Sequence, residues 1–565
     1  MCLKENPAAV TNSATRRSVI KASAIAAALA LAGCTAARPE EESPSGSPSA
    51  SNAAGPVAAF TFATAARPSG LDPFLAVDTE SHRVTRQILE TLVGVDPLTS
   101  APVPALAEEW NESDEGRTYE FTLRRGVTFH DGTPFNAEAV CANFDRWYNL
   151  PESVRGPEVL MFSSVFKGFA DTPDLSAFKS CVPAGEYTVR LELNTRLPGL
   201  IPALASPEFA ISSPQALKRG NADELNQERN GTRLSAYGQH PVGTGPFMFS
   251  SWVDDELTLV SNPDYWGEHG QIRDLVFRTI TSPESRLRAL KNAEVDGYDL
   301  VTVSDVGELA RAGMQILQRD PYSILYLGIN QNFPGLDEPK MRQAIAHAID
   351  KPALLEGLFL NGTKSANQFL PEKLGLRSDN VTNYGHNPER AKELLEEAGY
   401  AGEELPFYYP RRVTRAYLPN PEKVYAELSR QLTAAGFNIR PVPMEWSEGY
   451  LEAVSKNGDR ALHLSGLSGS YMDADNFVGT LFGSYTEEFG YDDAQLFTKV
   501  DRARTLANAE ERAAAYRSIS DRISTRVPAV PLAFPISTLT LSPRVTQYPT
   551  SPVLNEVFNN VRLSD

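Results

Sequence analysis

Along the chain, short runs with apolar residues at every second position give way to longer stretches with apolar residues three and four apart, the periods of strands and helices. Residues 57–63 (VAAFTFA) and 119–123 (YEFTL) read as strands, and 82–92 carries its apolar positions at helical spacing. Between them HDGTPF (130–135) reads as a tight turn centred on Asp131 and Gly132. Later helices have sharp ends. Asn387 and Pro388 supply an N-cap and a first-turn proline for a helix over 389–398 that Gly399 closes, and a helix over 422–435 is closed by Gly436. The second of these feeds a strand through QLTAAGFNIRPVPMEW (431–446). A long amphipathic helix over 510–526 stops before Pro528, and VPAVPLAF (527–534) returns as a strand. Helices and strands alternate without a repeating βαβ phase, so the expected fold class is mixed α/β (α+β), not a barrel.

The N-terminal pattern is different. Lys4, Arg16, Arg17 and Lys21 precede an apolar run over 22–32, too short to span a bilayer comfortably, which is the layout of an export signal. TRRSVIK (15–21) resembles a twin-arginine signal, and LAGC (31–34) resembles a lipobox, after which Cys34 would be the lipid-bearing first residue of the mature chain. Residues 35–56 are Pro, Ser, Ala, Gly and Glu with little that could form a core, the composition of a tether. The folded body is therefore expected from residue 57, outside the cytoplasm and held to a membrane by its lipid.

Removing residues 1–33 takes four basic and one acidic residue from totals of 53 and 71, leaving 49 against 70, or −21. No basic stripe offsets this charge, so nucleic acid is excluded as a partner. A body of this length calls for at least two lobes. Of the four cysteines, Cys2 is lost and Cys34 acylated, leaving Cys141 and Cys181 as a disulfide in an oxidising compartment or as two buried thiols. The seven histidines show no i, i+4 pair and no cysteine partners, so neither a metal nor another cofactor is expected. GTGPF (243–247) lacks the third glycine of a dinucleotide fingerprint, and GLSG (466–469) misses the spacing of a nucleophile elbow. No catalytic pair stands out, and the chain is not expected to be an enzyme.

Several segments together resemble one family, the solute-binding proteins of ABC importers of the peptide, oligopeptide and nickel type. They are the stretch over 92–140, PVGTGPFMF (241–249), NPDYWG (262–267), INQNFPGLDEPKMRQAIAHAID (329–350), NPERAKELLEEAGY (387–400) and YMDADNFVGTLF (471–482). The resemblance implies a monomeric two-lobed periplasmic-binding-protein-like fold that closes over a small ligand and delivers it to ABC permease subunits. It implies a first lobe over 57–322 with an extra subdomain at about 101–230, a second over 323–531, a return over 532–565, and hinges in the strands near 326–330 and 529–534.

The segment RAYLPNP (415–421) is similar to that of dipeptide-binding members, in which the arginine grips the ligand carboxylate. This implies Arg415 as anchor, with Tyr417 beside it; a planar guanidinium suits the role because it donates two parallel hydrogen bonds. Those members carry an aspartate for the ligand's α-amino group where this chain has Ser470, within LSGSYMDADNF (467–477). A serine accepts a hydrogen bond from an ammonium but cannot neutralise it. Either a neighbouring carboxylate takes over, from Asp473, Asp475 or Asp78, or the ligand lacks a free amine; for Asp473 and Asp475, helix capping before Phe477 is an equal alternative. Gly469, Ser470, Tyr471, Asp473 and Asp78 join Arg415 and Tyr417 as expected ligand-binding residues. The expected ligand is a short peptide or peptide-like solute, with a non-peptide ligand (metal chelate, haem, glutathione, glycoside) or an extracytoplasmic peptidase as alternatives.

Overall fold

In the computed structural model, residues 58–155, 160–229, 231–456 and 458–564 are described. The expected export signal, Cys34, the tether and Val57 lie outside the described residues. Among the described residues no helix is long and apolar enough to cross a membrane.

Two sheets organise the body. The first has seven strands in the order Phe247–Val253, Glu256–Ser261, Ile272–Thr279, Ala58–Thr64, Gly297–Asp299, Ser537–Leu541, Gln315–Arg319. Its central strand, Ala58–Thr64, overlaps the run expected over 57–63 and runs parallel to Ile272–Thr279 and to Gly297–Asp299. The alternation is explained by the packing: Phe60 and Phe62 point to one side, where the ring of Phe558 from the C-terminal segment packs 5.6 and 5.3 Å from them. The chain's end thus completes the first lobe's core.

The second sheet has six strands in the order Lys364–Ser365, Ala529–Phe534, Ser323–Ile329, Leu462–Ser468, Glu404–Arg411, Asn438–Glu445. Every residue of Ser323–Ile329 is buried, which is why SILYLGI shows no polar alternation. Helices Pro339–Ala348, Pro388–Glu397 and Pro421–Ala434 cover one face of this sheet and bury Leu394, Leu428 and Leu432 against Leu327 and Phe407. Asn387 and Asn420 cap the latter two, accepting from the N–H of Arg390 and Lys423.

Both strands expected as hinges, 326–330 and 529–534, lie inside the second sheet. The chain passes between sheets instead at 320–322, after Gln315–Arg319, and at 535–536, before Ser537–Leu541.

A third, four-stranded antiparallel sheet (Ala107–Ser113, Thr118–Leu123, Thr188–Leu193, Phe178–Gly185) falls within the 101–230 span and packs on helix Ala137–Tyr148. Cys141 on this helix and Cys181 on the edge strand are joined by a disulfide with a Cα–Cα distance of 5.2 Å.

Two polar networks hold the first lobe. Arg319, the last residue before the first crossing, pairs with Asp299 at 2.8 Å and with Glu556 at 2.5 Å, while Arg83 pairs with Asp299 at 2.5 Å and Glu80 at 3.0 Å. All five are buried. Asp299 is held far below the usual carboxylate range, its burial being outweighed by Arg319 and Arg83. Elsewhere, Glu90 gathers three donors from the GTGPF and NPDYWG segments: Thr244 Oγ1 at 2.8 Å, Tyr265 OH at 2.9 Å and Trp266 Nε1 at 2.8 Å. Burial nevertheless raises its carboxyl to about 7.

Candidate ligand-binding site

The Arg415 loop leaves strand Glu404–Arg411, which runs parallel to Asn438–Glu445 so that Arg411 and Glu445 end side by side. Trp446 therefore follows directly beside the loop. Mutual backbone bonds between Arg415 and Leu418, both 3.0 Å, close the loop into a tight turn, and its guanidinium carbon sits 4.2 Å from the Trp446 ring centroid. Stacking uses the guanidinium's face and leaves its N–H edges free. Arg415 Nε is buried without a hydrogen-bond partner, and among the described residues no carboxylate forms an ion pair with Arg415.

The free guanidinium borders a small space walled by both lobes. Leu300, Val301 and Ile536 come from the first lobe, and Phe359, Thr414 and Arg415 from the second. Tyr417 lies behind it, its ring flat over Gly466, where any Cβ would come within 2.6 Å of the Ile324 carbonyl and collide with the ring. Burial pushes the Tyr417 phenol up, so it remains a neutral hydroxyl.

The second expected segment follows strand Leu462–Ser468. Gly469 donates its N–H to the Tyr322 carbonyl at 2.8 Å, and a Cβ there would lie 2.7 Å from the Phe477 ring. Ser470 is half-buried and gives its backbone N–H to Asn476 Oδ1 at 2.8 Å. The Tyr471 carbonyl accepts from Tyr322 OH at 2.7 Å, which ties the loop to the first crossing.

The carboxylates around Ser470 are already engaged. Asp473 makes two 2.9 Å contacts with the Arg512 guanidinium and accepts the Asp475 N–H at 2.8 Å. Asp475 lies 3.3 Å from Arg504 Nε, while its Oδ1 is buried without a partner. Burial raises its carboxyl despite the arginine. The expected capped helix before Phe477 is a single wide turn, Asp475–Gly479, followed by Thr480–Phe482. Asp78 is the N-cap of helix Thr79–Ile88, accepting from Ser81 N at 2.9 Å and from the hydroxyls of Ser81 and Ser69 at 2.5 Å each. It lines neither interlobe cavity.

Arg504 also crosses between lobes, donating Nη2 to the carbonyls of Ser164 and Val165 in the extra subdomain, both at 2.9 Å. With Arg512, Tyr471, Asp473, Asp475 and Gly199 it borders a second small space. The expected residues thus fall into two groups: Arg415 faces one cavity with Tyr417 behind it, and Tyr471, Asp473 and Asp475 line the other. Trp446, Arg504, Arg512 and Gly199 were not legible as site residues, because each reaches its place through a distant segment. Among the described residues no group of three or more His, Cys, Asp or Glu is gathered that could hold a metal.

Comparison with known proteins places this geometry. The family model of the bacterial extracellular solute-binding proteins, family 5, matches residues 101–489, more than half of the chain. The chain belongs to that family. Heme-binding protein A of Haemophilus influenzae is 28% identical over 522 residues, covering 89% of this chain and 92% of that protein. The dipeptide-binding protein of Escherichia coli is 26% identical over 522 residues, covering 89% and 94%. An ABC transporter-associated periplasmic binding protein of Helicobacter pylori, solved in complex with the peptide STSA, superposes with a TM-score of 0.78 at 25% identity, covering 90% of this chain and 98% of that one. This family 5 chain is a ligand-binding receptor with the two-lobed periplasmic-binding-protein fold.

Proposed function

We propose that the protein captures a small peptide or peptide-like acid between its lobes and hands it to an ABC permease, with Arg415 holding the ligand's carboxylate. The observation that carries this reading is a guanidinium stacked on Trp446, without an ion pair among the described residues, at a cavity walled by both lobes. A bound carboxylate would accept from its free edge in the bidentate manner. Relatives named for dipeptides and a neighbour solved with a peptide support the same ligand class.

In this reading Cys34 carries a lipid on the outer face of the cell membrane, and the 35–56 tether keeps a monomeric receptor near its permease at high effective concentration. The protein binds and releases its ligand without chemical change. Mass spectrometry of small molecules released from the freshly purified, denatured protein tests the proposal. A carboxylate-bearing solute of a few residues' size is expected. Release of only haem or a metal chelate would overturn it, as would turnover of a peptide library by the pure protein.

A further inference from the structure

From the charge balance of the cavity at Arg415 we infer that the ligand is a monoanion without a free ammonium, such as an N-acylated amino acid or dipeptide. The inference rests on the receptor reading above and narrows it. Arg415 is the one charged residue among those that line this cavity, the rest being apolar or hydroxyl-bearing. The hydroxyls can accept from an ammonium but bring no charge to neutralise it: Thr538 Oγ1 donates to the Val301 carbonyl at 3.5 Å, and Ser537 Oγ accepts from Arg319 at 3.1 Å. The cavity therefore carries a net charge of one cation and presents no counter-charge for a second.

The nearby acids do not supply one. Asp299 is shared by Arg83 and Arg319, Asp473 is clasped by Arg512, Asp475 faces Arg504 at the other space, and Asp78 takes four donors from Ser69 and Ser81. Glu488, behind Tyr417, takes both His463 Nε2 at 2.9 Å and Tyr326 OH at 2.8 Å on its Oε1 and is not among the residues that line this space. A zwitterion would place its ammonium in an enclosed space with a like charge already present and no anion to receive it. An acylated nitrogen removes that charge and keeps a donor and an acceptor for the main chain, while Phe359, Leu300 and Ile536 give its side chain an apolar wall.

Three probes titrated calorimetrically into the full-length protein, freed of endogenous solute by unfolding and refolding, separate the claims: leucyl-leucine, N-acetyl-leucyl-leucine and N-acetyl-leucyl-leucine amide. The acetylated acid is expected to bind at least about tenfold more tightly than either of the others. If the free dipeptide binds as tightly as the acetylated acid while the amide stays weak, the inference fails and the carboxylate-receptor reading stands. If the amide matches the acid, Arg415 is not reading a carboxylate and the receptor reading fails at this cavity. If none binds at millimolar concentration, both fail.

Discussion

Replacing Glu90 by glutamine tests how the first lobe is held together. The carboxylate receives Thr244 Oγ1, Tyr265 OH and Trp266 Nε1, all within 2.9 Å. Glutamine offers one carbonyl oxygen, which serves at most two donors, and turns an NH₂ toward the third. With that oxygen in the place of Oε2, Thr244 and Trp266 keep their acceptor, and the NH₂ donates to the Tyr265 hydroxyl as the O–H of a protonated carboxyl does. The pH dependence is more diagnostic. Below the ordinary carboxyl value of 4.5 the group is protonated in folded and unfolded chains alike, and its contribution is complete. Between 4.5 and about 7 only the folded chain retains the proton, so rising pH removes stability, on the order of 3 kcal/mol in all. Burial holds His130 and His463 near 4, which acts in the opposite sense and removes stability as pH falls from 6.5 toward 4. The difference between Glu90→Gln and wild type isolates the carboxyl. Urea unfolding followed by tryptophan fluorescence should show the variant within about 1 kcal/mol of wild type at pH 5 and more stable than wild type by on the order of 3 kcal/mol at pH 8. A gap that stays constant from pH 5 to 8 would refute the reasoning.

Four further perturbations have defined outcomes. Replacing Cys141 and Cys181 by serine opens a loop 40 residues long and should cost about 4 kcal/mol on the chain-entropy model, read as a lowered urea midpoint. Arg319→Ala leaves Glu556 and Asp299 short of a partner in a buried network and should cost about 3–5 kcal/mol by the same measurement. Gly466→Val drives a side chain into the Tyr417 ring and the Ile324 carbonyl; a loss of about 1–3 kcal/mol and weakened ligand binding by calorimetry are expected. Arg415→Ala should leave the urea midpoint near that of wild type, because the guanidinium makes no ion pair among the described residues, while weakening ligand binding.

Local structure was legible wherever a residue's role is set by its neighbours in sequence. Asn387 with Pro388 caps its helix, and Gly399 and Gly436 close theirs with positive φ, as their types require. The alternation over 57–63 marked the strand Ala58–Thr64, with one face on Phe558. What could not be read was set by distant segments. The strands near 326 and 529 looked like crossings by resemblance, yet pairing on both sides fixes them in the second sheet and moves the crossings to 320–322 and 535–536. Ser470 raised the question of which acid replaces an aspartate. The answer depended on Arg512, Arg504 and Ser69, whose positions no spacing reveals. Glu90 shows the same limit from the other side: its donors sit in two segments that stand out in the sequence, and the acid that joins them does not.

The most direct test of the central claim is a calorimetric titration of Arg415→Ala with the solute released from the wild-type protein. The account predicts an affinity at least tenfold weaker than wild type, about 1.4 kcal/mol or more, with folding intact. An unchanged affinity would contradict it, since the carboxylate anchor would then lie elsewhere between the lobes.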